Sequence, residues 1–173
     1  LGNPKEAHEH KEVALSYPAK TVANSLLKKY FEAGEPITNL KLQKSLYFLA
    51  SEYEKDTGRP LLYEPFQAWT YGPVLISVYD EFKAYRGNPI TQYAVDPLTG
   101  SEIVDESREP FFAGALARVW EATRHRTAAD LVNISHAKDG PWYKAWMNDS
   151  PVIDRAAVKD DKTYQKALEL TRG

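Results

Sequence analysis

Between Thr38 and Lys55 the chain spells out one helix more plainly than any other element, because Leu42, Leu46, Leu49, Ala50 and Tyr53 fall at i, i+4, i+7, i+8 and i+11. Thr38 supplies the side-chain oxygen that caps such a start. An apolar stripe of that length needs a facing surface, and the preceding segment offers one. Over Ala19–Ala33, Val22, Leu26 and Tyr30 recur every four positions, flanked by Ala23, Leu27 and Phe31, until Gly34 and Pro36 end the run. Opposite the second stripe lie Lys41, Lys44, Ser51 and Lys55. With Lys28 and Lys29 they predict a basic side on this helical pair, read either as solvated surface or as a docking patch.

Further along, the rhythm changes. Leu61–Tyr71 has no helical period, and Phe66-Gln67-Ala68-Trp69-Thr70-Tyr71 reads as a short aromatic strand. Pro73 suits the first position of a third helix carrying Leu75, Val78, Tyr79, Phe82 and Tyr85, which ends before Gly87-Asn88-Pro89. Ile90–Val95 and Ser101–Val104 flank the turn Asp96-Pro97-Leu98-Thr99-Gly100 and predict a hairpin. Phe112, Leu116, Val119 and Trp120 mark a fourth helix, Thr127 with Asp130 caps a fifth through His136, and Gly140-Pro141 opens a short sixth. In that sixth helix Trp142 and Trp146 share one face, closing the core or forming an aromatic patch. A final amphipathic helix is expected around Tyr164, Ala167 and Leu168. The expected fold is mainly α: one compact helical domain over 18–173, of about six helices with a small β element near 66–71 and 90–104. Residues 1–17 read as a polar, flexible lead-in.

The chain has 173 residues and no cysteine, which rules out thiol catalysis, disulfides and cysteine-held metals. A net charge of -2 argues against a nonspecific nucleic-acid binder. Charge is distributed unevenly, since Asp80, Glu81, Asp96, Glu102, Asp105, Glu106 and Glu109 outnumber Lys83, Arg86 and Arg108 between residues 80 and 109. Opposite basic and acidic patches would polarise the molecule. No run is long and apolar enough for a membrane span, and the polar Leu1–Lys11 stretch is unlike a secretory signal. A cytoplasmic protein is expected.

The nucleophile elbow, the dinucleotide fingerprint, the phosphate loop and the His-Glu-x-x-His pair are all absent. His8, Glu9, His10 and Glu12 could take a metal opportunistically, but sit in the lead-in without a second shell. His136, near Ser135 and Asp139, can be drawn as the general base of a small hydrolase. It can equally be a helix-terminal histidine meeting local backbone groups. Arg124-His125-Arg126 offers phosphate contact or compensation of a helix end, and an operator-binding regulator using the Lys41 side is a further alternative.

Four stretches in order carry a resemblance: Val22-Ala23-Asn24-Ser25-Leu26-Leu27; Thr38-Asn39-Leu40-Lys41-Leu42-Gln43-Lys44-Ser45-Leu46-Tyr47-Phe48; Ala68-Trp69-Thr70-Tyr71-Gly72-Pro73-Val74; and Ser135-His136-Ala137-Lys138-Asp139-Gly140-Pro141-Trp142. Across roughly residues 19–148 the chain resembles the Panacea domain, found in phage-associated GepA-like and SocA-like proteins. The fourth stretch departs from the pattern at Ser135 and Lys138-Asp139. The resemblance implies an antitoxin without catalytic residues or cofactor. It would neutralise a protein toxin encoded beside it, by direct contact or by delivery to a protease, and a homo-oligomer stays open. The motif positions nominated for partner contact are Asn39, Lys41, Gln43, Lys44, Trp69, Tyr71, His136 and Trp142, with Lys41 and Lys44 foremost.

Overall fold

A computed structural model describes residues 16–171. The His8, Glu9, His10 and Glu12 cluster and the lead-in as far as residue 15 lie outside the described residues. Tyr17 is already joined to the fold: its N–H donates to the Leu61 carbonyl at 2.8 Å and its hydroxyl to Glu109 at 2.9 Å.

Seven α-helices and one small sheet are built from the described residues, so the architecture is mainly α as expected. α1 spans Ala19–Ala33 and α2 spans Asn39–Thr57; the β1 strand, Gln67–Trp69, turns through Thr70 and Tyr71 into β2, Gly72–Val74. α3 (Ile76–Phe82) follows, extended by a 3₁₀ turn at Lys83–Tyr85. Then come α4 (Pro110–Thr123), α5 (Ala128–Ser135), α6 (Pro141–Met147) and α7 (Arg155–Asp160).

α2 is the axle. It packs against α1, α3, α4, α5, α7 and β2, and 15 of its 19 residues are buried. Leu42, Leu46 and Leu49 form the expected apolar face, each fully buried side chain contributing about 1.5–3 kcal/mol. The opposite, polar face is also inside. There Tyr47 donates its hydroxyl to Asp161 at 2.6 Å, Ser51 to the Val158 carbonyl at 2.7 Å, and Tyr164 donates to Glu52 at 2.5 Å. The helix is therefore enclosed all round, with hydrogen bonds compensating the burial of polar atoms where apolar contact stops.

Both expected threonine caps form. Lys41 N–H donates to Thr38 Oγ1 at 3.3 Å and Asp130 N–H to Thr127 Oγ1 at 3.1 Å. Thr127→Ala should remove about 1 kcal/mol of stability, seen in thermal unfolding as a fall of roughly 3 °C; an unchanged midpoint would mean that the α5 cap contributes nothing.

Three expected elements are different. The predicted strand at 66–71 is instead a hairpin turning at Thr70–Tyr71, and Pro73 lies in β2 rather than opening α3. The 90–104 hairpin keeps its turn, held by one Asp96–Gly100 bridge, but not its strands. α1 takes the backbone groups that strands would have paired: Asn24 accepts from Ala94 N–H at 2.7 Å and donates to its carbonyl at 2.9 Å, while Ser25 Oγ accepts from Val104 N–H. The last helix falls earlier, at Arg155–Asp160, with successive turns around Tyr164 and Leu168.

The expected charge polarity is also reorganised. Lys29 of the expected basic side pairs with Glu106 at 3.9 Å, and Lys20 on the same helix pairs with Glu81 at 3.1 Å, so α1 sets cations against the acidic segment. No helix among the described residues is long and apolar enough to cross a membrane.

Candidate functional site

The residues singled out by their motif converge on the β1–β2 hairpin, although they come from distant parts of the chain. From α2, Lys44 extends under the hairpin and its ammonium donates to the Pro73 carbonyl at 2.7 Å. Gln43 accepts the Leu75 N–H at 2.8 Å and donates to Asn39 at 3.1 Å, and Asn39 donates to the Tyr79 carbonyl at 3.3 Å. This ladder of amides and ammonium fixes the hairpin and the start of α3 against one helix face.

Lys41 and Lys44 are thus not the exposed contacts expected of them. Lys44 is fully buried, and Lys41, also buried, donates to the Arg124 carbonyl at 2.9 Å and lies over the Tyr30 ring. Burial pushes Lys44 down to about 7, since removal from water disfavours the charged amine. Lys41 is lowered by the same cause, partly offset by Glu35. Asn39 and Gln43 are buried as well. The reason is α2's central position: what resembles a solvated face is a hydrogen-bonding interior face.

Close fit beneath the hairpin explains Gly72. Its φ is +104°, and a Cβ there would stand 2.7 Å from Ser135 Oγ and 2.9 Å from Lys44 Cε. Neither neighbour is free to swing aside, because Ser135 Oγ donates to the Val132 carbonyl at 2.7 Å and Lys44 is held by Pro73.

On the other side α6 supplies an aromatic stack. The His136 ring lies 3.7 Å from Trp142 at an interplanar angle of 9°, and Trp142 lies 5.4 Å from Trp146. Trp142 is buried and donates its indole N–H to the Trp69 carbonyl at 2.8 Å, tying the stack to the hairpin. Burial and the nearby Lys44 lower the His136 pKa, which favours the neutral ring. Among the described residues His136 makes no hydrogen bond with Ser135 or Asp139; its Nε2 is buried without a partner. The geometry makes it a support for Trp142.

Over this frame opens a cleft of about 660 Å³, lined by Asn39, Leu40, Gln43, Trp69, Thr70, Tyr71, Val74, Tyr79, Lys83, Arg86, Gly87 and Trp146. Trp69 packs on Tyr79 with ring centroids 4.8 Å apart. Tyr71 is 65 % exposed, while Trp146 and the adjacent Met147 are 43 % and 62 % exposed. Large aromatic surface left in water beside a concave site is the composition expected where a partner docks. Of the nominated residues, Asn39, Gln43, Trp69 and Tyr71 line the cleft, whereas Lys44, His136 and Trp142 support it and Lys41 stands apart. Tyr79, Lys83, Arg86 and Trp146 are additions. Only Trp146 had a sequence signal, its four-residue spacing from Trp142.

Residues 42–143 match the family described as "Antitoxin SocA-like, Panacea domain", within the 19–148 stretch that carries the resemblance. The chain is 40% identical over 130 residues to a protein named "Antitoxin SocA" from Caulobacter vibrioides, an overlap covering 73% of this chain and 69% of that one. No solved structure matches. With a match across more than half its length and a relative of this similarity, the chain belongs to the SocA-like Panacea antitoxin family.

Proposed function

We propose that the protein is an antitoxin that neutralises a protein toxin from an adjoining gene by binding it through the aromatic cleft beside the β hairpin. One observation carries this reading: four motif residues line a single concave surface bearing exposed aromatics, and three others brace it from behind. The output of such a surface is binding free energy, concentrated in a few aromatic anchors.

Coexpression with the neighbouring open reading frame is the test. Growth should be arrested by that product alone and restored when this protein is present, with both polypeptides recovered as one complex. Rescue without any complex would defeat the reading. Toxin half-life in the same cells separates holding from delivery: direct holding leaves its level steady, whereas delivery to a protease lowers it.

Tyr71→Ala, at the open end of the hairpin, should weaken complex formation by roughly 10-fold or more while shifting stability by less than about 0.5 kcal/mol. Equal affinity for both proteins, measured by titration, would move the contact away from the hairpin tip.

A further inference from the structure

The cleft has a chemical polarity that narrows what can occupy it. Its lining contains Lys83 and Arg86 and no carboxylate, although the chain as a whole carries a net charge of -2. Lys83 shares its charge with Asp80 at 3.3 Å on exposed surface, where water weakens the pair. Arg86 is exposed and makes no ion pair among the described residues. It also holds φ +54° and ψ -123°, a backbone conformation suited to glycine, with Gly87 immediately after it. A bulky residue kept at such a position incurs strain that glycine would relieve, and strain of this kind gathers at binding sites.

The mode of contact is restricted too. β1 pairs with β2 on one side, and on the other Ala68 N–H donates to the Pro151 carbonyl. Along the outer edge of β2, Pro73 has no N–H, its carbonyl is taken by Lys44, and the next N–H, that of Leu75, is taken by Gln43. An incoming strand would find the edge already satisfied, so recognition must proceed through side chains.

Resting on the antitoxin reading, we infer that the cleft takes an acidic, apolar-anchored segment of the partner. A carboxylate lies against Arg86 and Lys83, and a neighbouring leucine or aromatic side chain sits among Trp69, Tyr79 and Trp146. The volume is in the range of clefts that enclose a small ligand, roughly 300–1,000 Å³, and its cations complement only the acidic member of such a segment.

The experiment has two arms. In the first, the product of the adjoining reading frame is titrated calorimetrically into the wild-type protein, Arg86→Glu, Arg86→Gly, the Lys83→Glu/Arg86→Glu double variant, and Lys28→Glu as a control for total charge. Arg86→Glu should weaken binding about 10-fold and the double variant about 100-fold. Lys28→Glu should change little. Arg86→Gly should weaken binding while leaving the melting temperature equal or higher, which a merely structural arginine would not do. Full affinity in Arg86→Glu overturns the inference and leaves the antitoxin reading standing.

In the second arm, a random-peptide display library is selected on the purified chain. Enriched peptides should combine aspartate or glutamate with leucine or an aromatic residue and be lost on Arg86→Glu. Neutral or basic winners, winners indifferent to that change, or no enrichment overturn the inference. If the adjoining product fails to bind the wild type, the antitoxin reading falls and the peptide selection alone decides the chemistry of the cleft.

Discussion

Replacing Gly72 with alanine is expected to lower the melting temperature by roughly 10 °C and to abolish toxin neutralisation in the coexpression assay. Two effects combine. A φ of +104° is outside the range that an L side chain adopts without strain, worth about 1–3 kcal/mol. The new Cβ would also meet Ser135 Oγ and Lys44 Cε at 2.7 and 2.9 Å, and overpacking of this sort costs about 1–3 kcal/mol. Both side chains are hydrogen-bonded where they stand, so relief must come from moving the hairpin, which carries Trp69 and Tyr71. A Gly72→Ala protein with an unaltered midpoint would show that the floor under the hairpin is soft.

The second large effect belongs to Lys44. Lys44→Ala removes a fully buried side chain and leaves the Pro73 carbonyl without its donor, a combined loss of about 3 kcal/mol. Lys44→Met keeps most of the volume and should lose less, and it exposes a pH signature. The folded lysine sits near 7 and the unfolded one near 10.5, so between those values the unfolded chain binds more protons. Stability linked to this group therefore rises with pH in that window. From pH 7 to 9 the wild type should gain roughly 2 kcal/mol relative to Lys44→Met. The difference between the two cancels the other titrating groups, and parallel denaturation curves across this interval would place the folded Lys44 pKa in the ordinary range.

How far these features could be read beforehand depends on sequence distance. Thr38, Thr127 and the leucines of α2 speak through neighbours three or four residues away, and the helices they define are where the pattern placed them. The inward polar face of α2 is different. Lys44 finds its acceptor 29 residues on and Tyr47 finds Asp161 114 residues on, so nothing local separates these side chains from solvated ones. For that reason Lys41 and Lys44 read as surface cations in the sequence although both are buried. The 90–104 segment is a similar case, since Asn24 and Ser25 of α1 satisfy backbone groups that a local reading can only assign to strands. Within the site, Trp69 and Tyr71 were legible as aromatics with no place in any helical stripe. Arg86 was hidden because Arg-Gly-Asn-Pro reads as a helix stop, and its strained backbone is visible only in three dimensions.

The ties from Tyr47, Ser51 and Glu52 to residues 158–164 set an order of assembly. During synthesis α2 leaves the ribosome 107 to 114 residues ahead of the partners that seal its polar flank. A nascent polypeptide would hold an unclosed interior, open to chaperones and proteases, until residues 158–164 had been made.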